Sequence, residues 1–367
     1  MLKKNNILIR HSKSKIRIAN FIKSNIKYEY SNECFCDVLI ISGDKNISNV
    51  LITADIIWFS ETMVRKIKEL FYKKYCIKEE NVVLSASHTH GSPNPDKSIS
   101  YPNFSERFDT YLFNIIIKCF NRAFKKKKIM VRTKFKRFSE NSFSVNRRKK
   151  GLVFKDKINY KMQSLPNFKK KIDNNIDLID FTNTKNNKIE VALIRLTCHP
   201  VSSPNDVKGP DFVGYFREGL KNRAKSILFL QGFCGDIRPK IIKTEKSFKD
   251  FIIKALIGKR FRNANKKDAL LIGNKISNTI LNFKNEPYDI NFCNIEKSHK
   301  ILHKMKLSDN SYHEKKLEII LWNWGSIIFL FINAEVLSGY NLLNYKEKKV
   351  LCVGYSNGMI GYLPTEK

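Results

Sequence analysis

Two histidines two positions apart, His88 and His90, follow an apolar run in Asn81-Val-Val-Leu-Ser-Ala-Ser-His-Thr-His-Gly-Ser-Pro93 and lead straight into a Gly/Pro turn. Imidazoles ligate metals and carry protons near neutral pH, so a pair delivered together offers one site a ligand and a second polar group. If Val82-Val-Leu84 is a strand, residues two apart share a face and both rings leave its end on the same side. An isolated pair of this kind is more often two satisfied polar groups. Its meaning depends on whether the chain supplies further ligands.

Further polar groups do occur, each at the end of an apolar run. Leu196-Thr-Cys-His-Pro200 ends such a run with His199, and Gln231-Gly-Phe-Cys-Gly-Asp-Ile-Arg-Pro239 ends another with Asp236 and Arg238. Asn333-Ala-Glu335 contributes a carboxylate, and Gly354-Tyr-Ser-Asn-Gly-Met-Ile-Gly-Tyr362 contributes two phenols among glycines. Asp55 follows Val50-Leu-Ile-Thr-Ala54, and Asp211, in Gly209-Pro-Asp-Phe-Val-Gly214, reads as a turn or helix cap.

The elements that must position these groups alternate. Residues 35–42 and 50–54 read as a hairpin around Gly43-Asp-Lys-Asn46, and 60–75 reads as a helix with Ile67, Leu70 and Phe71 on one face. Residues 108–124 carry Leu112, Ile115, Ile116, Cys119 and Phe120 at helical spacing. The polar, basic stretch 154–175 reads as a long loop. Strands are expected at 189–197, 226–231, 290–293, 319–322, 327–333 and 350–354, and helices at 216–225 and 269–283. The apolar window 317–337 holds too many polar residues to span a bilayer and reads as two strands joined at Asn323-Trp-Gly-Ser326. The expected class is α/β, a mixed-sheet sandwich with helices flanking the sheets, in a single domain over 1–367.

Composition supports a packed protein: 367 residues, 42% hydrophobic and 12% aromatic. The formal charge is +34, from 68 Lys+Arg against 34 Asp+Glu. The basic residues are scattered in runs such as Lys125-Lys-Lys-Lys128, Arg147-Arg-Lys-Lys150 and Lys169-Lys-Lys171, which reads mainly as a solvated surface. A weak association with an anionic membrane surface is a secondary expectation. No basic motif with interleaved aromatics is present, so specific nucleic-acid binding is not expected. Cys34 and Cys36 are too close for an ordinary strand disulfide, and Cys119, Cys198, Cys234 and Cys352 sit in or beside apolar runs, as reduced core residues would. The N-terminus lacks an apolar signal core and a cleavage site, so a cytoplasmic location is expected. His11, His299, His303 and His313 read as surface residues.

Taken in order, the Ser85-Ala-Ser-His-Thr-His-Gly-Ser-Pro93, Cys198-His-Pro200, Gln231–239, Asn333-Ala-Glu335 and Gly354-to-Thr365 motifs resemble the neutral/alkaline (non-lysosomal) ceramidase superfamily, in its N-terminal zinc hydrolase domain. The resemblance covers nearly the whole chain. It implies that one Zn2+ is held by the imidazoles of His88 and His199, the carboxylate of Glu335 and the phenol of Tyr362, with Asp55 and Asp236 supporting the site. It also implies that His90 stands beside the metal as a catalytic group, and that Arg147 helps hold the oxyanion formed when an amide is attacked. The substrate implied is an N-acyl compound, small or lipid.

Two departures from the family pattern stand out. Arg238 occupies the place of the family's active-site serine, near the metal, where its charge suits an anionic substrate group or pairs with Asp236. The sequence runs to Lys367, just after Gly361-Tyr-Leu-Pro-Thr365, so the family's C-terminal immunoglobulin-like domain is not expected. These departures keep open an alternative: a catalytically degenerate member that serves in binding or assembly.

Overall fold

Apolar side chains occupy both odd and even positions of Cys34–Ser42, a pattern that fits a strand covered on both faces. A computed structural model describes residues 6–22, 29–30, 32–43, 47–99, 101–102, 104–154, 158–283, 288–290, 298–305, 315–342 and 348–365, and reveals the two covers. Val38 and Ile40 pack toward helices, whereas Leu39 and Ile41 pack toward a second sheet.

In chain order the elements are β1 (Asn6–Ile16), β2 (Glu29–Tyr30), β3 (Cys34–Ser42), β4 (Ile47–Ala54), α1 (Glu61–Tyr75), β5 (Val82–Ala86), α2 (Glu106–Lys125), β6 (Ile129–Ser139), β7 (Ser144–Phe154), β8 (Ile158–Asn167), β9 (Asn175–Asn183), β10 (Ile189–Leu196) and β11 (Val207–Lys208). They continue as α3 (Phe212–Gly219), β12 (Ala224–Gln231), β13 (Ile237–Pro239), α4 (Phe248–Ile257), α5 (Asp268–Asn282), β14 (Tyr288–Asp289), β15 (Ser298–Met305), β16 (Lys315–Trp324), β17 (Ile327–Ile332), β18 (Glu335–Val336), β19 (Lys349–Val353) and β20 (Tyr362–Leu363).

A nine-stranded mixed sheet runs β12-β10-β9-β6-β1-β3-β4-β5, with β14 beside β6. The four-stranded sheet β15-β16-β17-β19 covers one face, and Trp322, Trp324, Phe329 and Phe331 fill the space between the sheets. On the other face lie α1 and α2, whose Phe71 and Phe120 rings stand 4.0 Å apart, and then α3 and α5. The expected α/β sandwich with flanking helices is the architecture observed. Caps set the helix starts: the Ser60 hydroxyl accepts from the Met63 N–H, and the Ser105 hydroxyl accepts from the Phe108 N–H.

The hairpin of residues 35–42 with 50–54 forms as expected, with Cys36 opposite Ala54. Residues 154–175 do not form the long loop expected. Ile158–Asn167 is β8, paired antiparallel with β7. Its periodicity was hidden because the hairpin is held by cross-strand pairing rather than by a deeply buried face, and Lys and Arg occupy its open side. The helix expected at 216–225 begins earlier, at Phe212, because Asp211 caps it, and the chain is already β12 from Ala224. Of the strand expected at 290–293, only Ile290 lies within the described residues. Among the described residues, no helix is long and apolar enough to cross a membrane.

Candidate metal centre

Five strand ends meet because their backbones bond to one another beyond the sheets. The Gly232 N–H donates to Leu196 O (2.8 Å), the Gly354 N–H to Gln231 O (3.0 Å), the Tyr355 N–H to Ala334 O (3.2 Å) and the Ala86 N–H to Tyr355 O (3.1 Å). These bonds stitch the ends of β10, β12, β17, β19 and β5 into one rim. Gly232 is required there, since a side chain would collide with Thr197 and the guanidinium of Arg195. Each strand then delivers its polar residue inward.

The Nδ1–H of His88 donates to the carbonyl of Ile57 (2.9 Å), and that of His199 to the carbonyl of Cys234 (3.2 Å). A carbonyl oxygen can only accept, so both Nδ1 atoms carry protons and both Nε2 atoms present lone pairs. Those two lone pairs face each other at 3.1 Å. The arrangement repels unless a cation lies between the nitrogens. Burial, joined by the mutual repulsion of the ring charges and by Arg147, holds both imidazoles well below their usual pKa, so a proton is a poor candidate for that cation. Two nitrogens on a tetrahedral zinc would stand roughly 3.3 Å apart.

His90 completes a three-histidine group whose ligand atoms all lie within 4.8 Å of one another. Its Nε2 is 3.1 Å from that of His199, and its Nδ1 is 2.8 Å from the hydroxyl of Tyr101. Burial, Arg147 and Lys208 lower its pKa to about 4. The Tyr101 phenol, pushed up to about 12 by burial and by Glu335, keeps its proton and fixes the ring.

Glu335 faces the same point. Its carboxylate oxygens lie 3.8 Å from His88 Nε2 and 3.6 Å from His199 Nε2, and its Oε1 is buried without a hydrogen-bond partner. Burial pushes this carboxyl up to about 7 against the pull of Tyr362 and Arg147. An orphaned, buried carboxylate oxygen beside opposed imidazole lone pairs is a fit for a divalent cation. Tyr362 pairs with Glu335 across β18–β20 and accepts a hydrogen bond from Arg147 Nη2 (2.9 Å), but half its surface is open to solvent.

Arg147 is placed by its main chain and by Asp236. Its N–H donates to Asp236 O (2.7 Å), and its Nη2 donates to Gly235 O (2.7 Å) and lies 3.9 Å from Glu335 Oε1. The Asp236 carboxylate accepts from Asn146 (2.7 Å), from the Ser338 N–H (2.7 Å) and from Lys170 (3.4 Å). Asp236 thus ties β7 to the loop after β18. Asp55 sits one step further out, where it pairs with Arg217 and accepts from the Phe35 N–H (2.8 Å), steadying the segment that carries Ile57. Asp211 caps α3 and accepts from the Ser202 and Ser203 N–H groups beyond His199.

A cavity of about 730 Å³ opens beside His90, with Tyr101, Lys208, Asn263 and Arg238 in its wall. Arg238 makes no ion pair with Asp236 or any other described acid; its guanidinium lies over the Phe261 ring at 4.4 Å and its Nε is buried without a partner. His11, expected at the surface, is buried, with Nδ1 3.1 Å from Ser226 Oγ and Nε2 3.5 Å from Glu190. It lies on a strand that its own polar alternation concealed. His299 and His303 are exposed as expected, and His313 lies outside the described residues. Tyr101 and the carbonyls of Ile57 and Cys234 were not read from sequence. Tyr101 had a signal, a lone tyrosine beyond the His90 turn, but carbonyl acceptors have none.

No family model and no curated protein matches the sequence. Solved structures do. The neutral ceramidase of Pseudomonas aeruginosa matches with a TM-score of 0.67 at 14% identity, over 99% of this chain and 69% of that one. A ceramidase complexed with C2 matches with a TM-score of 0.63 at 13% identity, over 97% and 69%. The fold is therefore that of the neutral ceramidases, as the sequence motifs implied.

Proposed function

We propose that this chain is a divergent member of the neutral ceramidase superfamily, a single-domain zinc hydrolase that cleaves an N-acyl amide bond. The observation that carries the reading is the pair of His88 and His199 lone pairs opposed at 3.1 Å beside the unpartnered Oε1 of Glu335. His88, His199, Glu335 and Tyr362 would hold the ion. Bound zinc supplies Lewis acidity, polarising the amide carbonyl and lowering the pKa of water. The remaining work falls to this chain's own side chains. Arg147, aimed past Tyr362, offers its guanidinium to the oxyanion that develops at the attacked carbonyl. His90, oriented by Tyr101, carries a proton toward the departing amine. Arg238 holds an anionic group of the substrate in the polar cavity.

The test combines metal analysis with turnover of short and long N-acyl compounds. Stoichiometric zinc, lost in His88→Ala/His199→Ala, and hydrolysis lost in Glu335→Gln are expected. Protein without zinc, or zinc retained by the double variant, would sink the reading. Arg238, standing where the family has its serine, favours a second reading in which the fold and metal persist for binding or assembly. Any hydrolysis abolished by Glu335→Gln removes that second reading.

A further inference from the structure

Helix α4 faces the wrong way for a surface helix. Phe248, Phe251, Ile252 and Leu256 fall at i, i+3, i+4 and i+8 and so share one face, which ordinarily turns toward the core. Here that face points out: Phe248 is 82% exposed, Phe251 and Leu256 59% each, and the helix buries no residue. The polar side holds it to the protein instead. Asp250 pairs with Lys243 (2.5 Å) and Arg260 (3.2 Å), and Lys254 pairs with Glu245 (3.1 Å).

We propose that α4 is an interfacial helix that seats the protein on an anionic lipid bilayer. The nearby acids Glu245 and Asp250 are already paired, so the charge left around the apolar face is basic. Lys246, Lys249 and Lys259 are exposed beside it. The patch continues onto Phe168, also exposed, with the ammonium groups of Lys240 and Lys259 over its ring at 5.6 and 5.3 Å. Aromatic and aliphatic side chains ringed by lysines are the pattern of helices that lie in the headgroup layer. A second copy of this chain would set one basic rim against another, on a protein already carrying +34. An anionic bilayer satisfies both the apolar face and its rim. The segment after α4 also builds the cavity wall, through Phe261 under Arg238 and through Asn263, so docking would hold the cavity beside the lipid surface. This inference stands on the surface alone and does not depend on the hydrolase reading.

The test is flotation of the full chain with phosphatidylcholine vesicles that contain or lack phosphatidylserine. Binding to the anionic vesicles is expected, weakened roughly tenfold or more in Phe248→Ser/Phe251→Ser/Leu256→Ser. Because those side chains lie mostly in solvent, the variant should melt close to the wild type. A tryptophan placed in the face by Phe251→Trp should shift its emission to the blue with anionic vesicles. No vesicle binding, equal binding by the triple variant, or an unshifted emission from the introduced indole overturns the proposal. So does a wild-type dimer that the triple substitution dissolves without any binding to vesicles.

Discussion

The imidazole of His88 stacks on the phenol ring of Tyr355, with centroids 3.9 Å apart and planes 22° from parallel. Both residues hold positive φ, 63° and 52°, a conformation that costs a non-glycine residue on the order of 1 kcal/mol or more. The strain is held by bonds on either side, from the His88 N–H to Ile56 O and from the Tyr355 N–H to Ala334 O. The stack restrains the plane of the His88 ring and the bond to Ile57 O sets its edge, so together they keep Nε2 aimed at His199.

Tyr355→Ala is therefore expected to release the ring and weaken zinc binding by roughly 10- to 100-fold, as loss of a supporting contact does at metal sites. Tyr355→Phe keeps the stack and should lose less, although its bond to Cys234 Sγ (3.1 Å) goes. Competition with a chromophoric chelator measures both. Equal affinity in Tyr355→Ala and wild type would show that Ile57 alone orients the ring.

The strand ends that carry the candidate ligands were legible in the sequence because apolar runs ending in His, Glu or Tyr are local patterns. The core strands β3, β4, β5, β10 and β17 were legible for the same reason. β1 and β6 were not. Lys and Arg alternate along them, and their pairing partners lie far away in sequence, as when Ile7 meets Val131. What orients the site was also hidden. The acceptors for His88 and His199 are main-chain carbonyls, and Asp236 reaches Asn146 across 90 residues. Arg238 was legible as a charged residue at a strand end, but only the structure puts it in the cavity wall that His90 shares and excludes its pairing with a described acid.

Asp236 should hold the site together as much as tune it. Although burial works to raise its pKa, hydrogen bonds from Ser338 and Asn146 hold it below the usual carboxylate value. Asp236→Ala strands those donors and should cost about 2–4 kcal/mol of stability, read by urea unfolding. Because the folded pKa is depressed, the contribution is complete above the unfolded value of about 3.9 and disappears as pH falls through the folded one. The gap between variant and wild type should therefore narrow in acid. A gap that persists unchanged there would assign the loss to packing.

Asp37 is expected to show the opposite sign. It lies wholly buried on β3, both carboxylate oxygens lack partners, and burial lifts its pKa to about 7 against Arg217 and Lys13. Between about pH 4 and 7 the unfolded chain has released this proton while the folded one keeps it, so stability falls as pH rises across that window and then levels. Asp37→Asn removes the slope. The variant should match wild type near pH 4 and exceed it at pH 8 by on the order of a few kcal/mol. Thermal melts across that range check it, and parallel curves would mean that Arg217 neutralises Asp37 in the fold.

Arg238 should decide the substrate. Its guanidinium lies over the Phe261 ring in the cavity wall and pairs with no described acid. An oxyanion reaching it gains a charge-assisted bond that a neutral group cannot make, a difference of about 1.5–3 kcal/mol, or roughly 10- to 100-fold in kcat/KM. An N-acylglycine should therefore be hydrolysed faster than its uncharged glycinamide by that factor. Arg238→Ser should erase the preference by slowing the acid while leaving the amide nearly unchanged. Retention of the preference in Arg238→Ser would move the anion site to Lys208 or Arg147, and faster cleavage of the glycinamide by wild type would remove it altogether.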